Sequence, residues 1–162
     1  MTVVRHRGGW VIVFTILMGL TLTIIPLPEW GELARPEWAV LVLIYWCMAL
    51  PQRVGVGIAW LVGLFQDALQ SSLLGAHALA FALVAYLTLR LHQRIRVYPL
   101  WQQALAVLVL LLVVRLVLLW IRGIIGSPSG DWEFWLPAVS GTVVWPVIFI
   151  LMREIRRRYR VQ

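Results

Sequence analysis

The chain contains no lysine and a single cysteine, Cys47. One thiol excludes an internal disulfide. Charge of either sign is scarce, at 13% of residues. The sequence also lacks the motifs that carry soluble catalysis. There is no HExxH helix, no cysteine pair, no GxSxG elbow and no glycine loop that could cradle a phosphate. His6, His77 and His92 are scattered along the chain, without the clustering that metal ligation requires. They read as surface or interfacial histidines. These absences point away from an enzyme and from a resident metal or cofactor.

What is present is apolar. Of 162 residues, 62% are hydrophobic, against roughly 45–50% in soluble globular domains. Mean hydropathy is +0.88. A bilayer core about 30 Å thick needs roughly 20 apolar residues as helix. Six stretches approach that length, at about 10–25, 36–52, 54–74, 76–91, 100–120 and 135–152. Runs such as "ALAVLVLLLVV" do not alternate, which argues against a transmembrane β-barrel. Helices satisfy their backbone groups internally, as hydrocarbon demands. The expectation is an all-α integral membrane protein: one domain over 1–162 with six transmembrane helices. The first run follows Arg5 and Arg7 but leads into the bulky "IIPLPEW". It reads as a retained anchor rather than a cleaved signal.

The second stretch is short. From Trp38 to Leu50 it has thirteen residues, or about 20 Å of helix. Starting it at Pro36, a residue suited to a first helical turn, brings it near bilayer thickness.

The net charge of +7 is carried by arginine alone. Arg5, Arg7, Arg53, Arg90, Arg94, Arg96 and the tail "REIRRRYRVQ" place eleven arginines on one side of the six runs. The other side holds Arg35 and Arg122, together with Glu29, Glu32, Glu37, Asp131 and Glu133. By the positive-inside rule both termini are cytoplasmic. A basic chain sorted in this way has no need of a nucleic-acid partner. The arginine-rich tail reads as a topology anchor in contact with anionic lipid. Trp10, Trp30, Trp38, Trp101, Trp120, Trp132 and Trp135 fall near run ends, as interfacial rings do. Trp145-Pro146 predicts a bend in the last run.

Two ionisable residues lie inside runs, Asp67 in the third and Arg115 in the fifth. Such groups face protein or water rather than lipid. Counting helical rise puts both in the outer half, about 20 Å and 22 Å from their inner ends. They could pair or share a polar cavity. Alternatively, Arg115 snorkels outward, and Asp67 caps the following turn through Gln70, Ser71 or Ser72, or joins Gln66 in an outer pocket. Gly63 lies one turn before Asp67 on the same face, where a small residue permits close helix approach. Gly75 suits a tight turn between the third and fourth helices.

The stretch from "RPEWAVLVLIYW" to "GLFQDALQSSLLGAH" resembles the MreD family of rod shape-determining proteins. So do "RGGWVIVFTILMGLTLTIIPLP", "LWQQALAVLVLLLVV" and "WPVIFILMREIRR". The most specific elements are Arg35-Pro36, the "ALPQRVGVG" turn and the Gly63, Asp67, Gly75 series. The resemblance implies a non-enzymatic inner-membrane scaffold of the elongation machinery. It would bind MreC through that partner's membrane helix and juxtamembrane segment. MreB, RodA and a penicillin-binding transpeptidase would work in the same complex, which positions side-wall peptidoglycan synthesis. It also implies a fold similar to the substrate-binding subunits of energy-coupling factor transporters, with Asp67 and its glycines at a pocket. Arg115 is not part of that pattern. The alternative reading is a substrate-binding subunit of a small-molecule transporter. The candidate pocket or partner-binding residues are therefore Asp67, Gly63, Gly75, Arg115, Arg35 and Pro36.

Overall fold

The computed structural model describes residues 8–127 and 131–161. Arg5 and Arg7, counted above for topology, lie outside them. The described residues form helices α1 (Gly9–Ile24), α2 (Glu29–Glu32), α3 (Trp38–Ala49), α4 (Val56–Gln70), α5 (Ala76–Val97), α6 (Leu100–Ile125) and α7 (Leu136–Arg158). A 3-10 turn, Trp132–Trp135, leads into α7. No strand occurs among the described residues. The residues beyond Leu100 form two helices long and apolar enough to cross a membrane, and α1, α3 and α4 are shorter apolar helices.

Helix α3 is the centre of the molecule. Its residues Ala39 to Met48 are all buried, the behaviour of a helix that is hydrophobic on every face. It packs on α1, α4, α5 and α7. Around it the neighbours form a ring, α1 on α4, α4 on α5, α5 on α6 and α6 on α7. The ring is open between α7 and α1. These two meet at the arginine-rich end, where Trp10 packs edge-on against Tyr159 at 5.3 Å. Above that contact they part and leave an apolar groove of about 350 Å³. Its walls are Phe14, Met18 and Leu22 of α1 and Ile148, Leu151 and Ile155 of α7, and Trp38 and Val42 of α3 form its floor.

Two buried tryptophans tie the centre together. Trp46 Nε1 donates to Thr15 Oγ1 of α1 at 2.9 Å. Trp145 Nε1 of α7 donates to Gln103 Oε1 of α6 at 3.1 Å. Trp60 instead is half exposed on α4. Trp10, Trp30, Trp101, Trp120 and Trp132 are all exposed near helix ends.

The second helix is shorter than expected over 36–52. It begins at Trp38 and ends at Ala49. Glu37 has ψ 82 and Leu50 has φ -134 and ψ 68, both non-helical. Leu50 precedes Pro51, whose ring disfavours helical backbone in the residue before it. At the other end Pro36 turns the chain into α3 without joining it. A twelve-residue helix rises only about 18 Å. Being enclosed by other helices, it need not match a bilayer by itself.

The remaining boundaries also move. The third run, expected over 54–74, stops at Gln70, where Ser71 adopts left-handed φ 52. The fourth and fifth extend past their expected ends to Val97 and Ile125. Arginine continues a helix as readily as most residues, so Arg90, Arg94 and Arg96 prolong α5 rather than end it. The last helix carries through Pro146 to Arg158.

Candidate functional site

The Asp67 carboxylate is fully buried, at 0% exposure. It is satisfied by the chain that follows it. Ser72 Oγ donates to Oδ1 at 2.8 Å and the Gly75 N–H to Oδ2 at 2.9 Å. The His77 N–H donates to Oδ1 at 3.0 Å, and the Ala78 N–H to Oδ2 at 3.4 Å. His77 Nδ1 lies 2.7 Å from Oδ1, so it carries the proton that the carboxylate accepts.

This arrangement is a helix cap supplied from a neighbouring helix. The first N–H groups of any helix lack intrahelical partners. Gly75 occupies the N-cap position of α5 and offers no capping side chain. Asp67 takes that role, placing negative charge at the positive end of α5. Gly63 and Gly75 make it possible. A Cβ on Gly63 would lie 2.4 Å from the Ala78 Cα and 2.6 Å from the His77 carbonyl oxygen. Gly75 has φ +101, a conformation costly for any side chain. Gly63, Asp67 and Gly75 are thus one clasp that joins α4 to the first turn of α5.

Arg115 does not pair with Asp67. Helices α4 and α6 both pack on α5, which separates residues that helical rise puts at equal depth. Asp67 has filled its acceptor sites locally, with Ser72 among its partners. Arg115 forms an ion pair with Glu37 at 2.5 Å, their side chains 13% and 12% exposed. Its guanidinium also stands over the Phe134 ring at 5.0 Å, as does that of Arg122. Arg35 donates to the carbonyl oxygens of Thr23 and Ile25 and pairs with Glu32 at 3.2 Å. It thereby caps α1 at its C-terminal end, where a cation meets unsatisfied carbonyls. Pro36 follows directly, is buried, and starts the turn into α3.

These groups line a polar cavity of about 310 Å³ at the acidic-loop end of the bundle. Arg35, Glu37, Gln66, His77, Arg115 and Arg122 are among its walls. Asp67 itself stands behind His77 and outside the lining. Buried Arg35 Nε, Glu37 Oε2, Gln66 Oε1 and Arg115 Nε have no hydrogen-bond partner among the described residues. Gln66 is only 1% exposed. Native proteins leave few such atoms unpartnered, and a polar cavity of this size has room for water or another polar partner beside them. The cavity borders the apolar groove: Leu22 and Trp38 line the groove, and their sequence neighbours Thr23 and Glu37 line the cavity.

Sequence reasoning missed His77 and Glu37. The signal for His77 was its position two residues after a glycine and ten after a buried carboxylate. The signal for Glu37 was its place immediately before a wholly apolar helix.

The model of the family described as rod shape-determining protein MreD matches residues 4–155. The rod shape-determining protein MreD of Haemophilus influenzae is 33% identical over 152 residues, which span 91% of this chain and 94% of that protein. No solved structure matches. With a family match over nearly its whole length and a relative aligned almost end to end, the chain belongs to the MreD family of rod shape-determining proteins.

Proposed function

We propose that this protein is a non-enzymatic scaffold of the rod machinery. It crosses the bacterial inner membrane six times, with both termini in the cytoplasm. It holds MreC, whose membrane helix occupies the groove between α7 and α1 and whose outer juxtamembrane segment meets the polar cavity. Through that hold it helps position side-wall peptidoglycan synthesis alongside MreB, RodA and the penicillin-binding transpeptidase.

The observation that carries this reading is the open ring. Helix α3 is enclosed by neighbours along most of its length, and Trp38 and Val42 floor the groove that is left open. The walls present Phe14, Met18, Leu22 and Ile148, Leu151, Ile155, stripes with helical spacing that an added helix can pack against. In lipid, helices associate through packing and a few interhelical hydrogen bonds rather than through the hydrophobic effect. A rigid slot favours a helix over disordered acyl chains for that reason. The adjoining cavity supplies unpartnered donors and acceptors, which suit the polar residues that follow a membrane helix.

Narrowing the slot tests this. Met18→Trp with Leu151→Trp alters side chains that are already exposed. The double variant is expected to insert normally, to lose co-purification with MreC and to give rounded cells. Val109→Trp, on the exposed face of α6, is expected to change nothing. Normal MreC capture by the double variant would count against the groove.

A further inference from the structure

A second polar cavity, of about 270 Å³, lies at the arginine-rich end. Its lining includes Arg96, Arg153 and Arg156, with Tyr45, Gln103 and Phe149. Three helices bring the arginines and their support together. Arg96 is in the last turn of α5, Arg153 and Arg156 are near the end of α7, and Gln103 is in the first turn of α6. Gln103 is 2% exposed and fixed from both ends of its amide. Its Nε2 donates to the Ile95 carbonyl at 3.2 Å and its Oε1 accepts from Trp145. Arg156 and Tyr45 line the same cavity. Gln103 and Trp145 thus fix the buried floor of the cavity, with half-buried Arg156 and the exposed Arg96 and Arg153 above it.

Among the described residues no carboxylate lines this cavity. Glu154 is the one acidic residue in the segments that hold the eleven arginines of this end, so acidic side chains there are too few to balance them. Guanidinium forks match phosphate oxygens in bidentate geometry. The opposite wall, Met48, Ala49 and Phe149, is apolar. We propose that this cavity is a specific binding site for a phosphate group, separate from the diffuse attraction of the arginine tail. The phosphate belongs either to an anionic phospholipid headgroup or to a free soluble phosphate, and binding assays separate the two.

The full chain would be placed in nanodiscs of phosphatidylcholine with a minor share of phosphatidylglycerol, and retained lipid counted by native mass spectrometry. In parallel, inorganic phosphate would be titrated against the detergent-solubilised chain and followed by phosphorus NMR. R96Q/R153Q and R157Q/R158Q remove equal charge, from the cavity and from the tail. The expected result is a single retained phosphate species in the wild type and in R157Q/R158Q. R96Q/R153Q should weaken it roughly 30-fold, as two arginines near an anionic surface predict. Retention of phosphatidylglycerol alone assigns the site to a headgroup, and retention of inorganic phosphate assigns it to a soluble ligand. Equal loss in both double variants, equal retention in both, or retention of neither ligand by the wild type overturns the proposal. Should R96Q/R153Q fail to insert, R96K/R153K keeps the charge and removes the fork. It is expected to bind several-fold more weakly, and undiminished binding would overturn the site equally.

Discussion

A carboxylate inside an apolar helix is tolerated here because it caps another helix. Asp67 accepts backbone N–H groups from Gly75, His77 and Ala78. Hydrogen bonds to a charged group contribute about 1.5–3 kcal/mol each. Asp67→Asn keeps the shape but turns an amide donor toward some of those N–H groups. A loss of roughly 2–3 kcal/mol is expected, seen as a lower thermal midpoint in detergent. Gly63→Ala is expected to cost about 3 kcal/mol, the upper range for overpacking, because its new methyl meets backbone at 2.4 Å. A midpoint unchanged by Gly63→Ala would show that α4 and α5 do not approach as described. Arg115 and Glu37 make a different prediction. Glu37→Gln strands a buried guanidinium and should destabilise by about 3 kcal/mol. The exchange Glu37→Arg with Arg115→Glu should recover most of that. At this scale the sequence made the special residues legible but not their partners. Asp67 and Arg115 stood out because charge is rare in such runs. Helical rise gives depth and says nothing of azimuth, so it matched two residues that α5 keeps apart. Glu37 was hidden because a carboxylate near a loop reads as solvated.

At the scale of elements, the six long runs were legible because apolar length is a strong signal, and the principal helices lie on them. Their ends were not. Helix α3 shows why: its limits come from Pro36 and Pro51, and its shortness is tolerated because other helices enclose it. Pro51→Ala relieves the constraint on Leu50. It should add helical signal by circular dichroism while weakening the turn that leads to α4, with a modest fall in thermal midpoint. No change in helicity would mean that the turn is set by tertiary contacts instead. The short α2 and the 3-10 turn before α7 had no periodic signal to reveal them. Both sit at the acidic-loop end: α2 delivers Glu32 to the polar cavity, and the turn sets Phe134 against Arg115 and Arg122 of its wall.

At the scale of the whole molecule, the six principal helices of the described residues make a centre and an incomplete wall. Membership of the MreD family places the protein in rod-shape determination. On the proposed reading the gap in the wall is where it takes part: a partner's membrane helix would complete the ring, and the partner's next residues would reach the groups beside it. The groove was not legible in the sequence; an outer polar pocket with Gln66 and Arg115 was expected, and both line the cavity, but its other walls were not. Groove and cavity both arise from which helices happen to be neighbours, and periodicity does not encode that. The measurement that tests this most directly is disulfide crosslinking in membranes, with buried Cys47 replaced by alanine. Single cysteines at Phe14, Met18 and Leu151 would be paired with a cysteine scan along the MreC membrane helix, with Val109 on α6 as the control. The account predicts crosslinks to MreC from the three groove positions, with helical spacing along MreC, and none from Val109. Crosslinks from Val109 alone, or groove crosslinks between two copies of this chain, would contradict it.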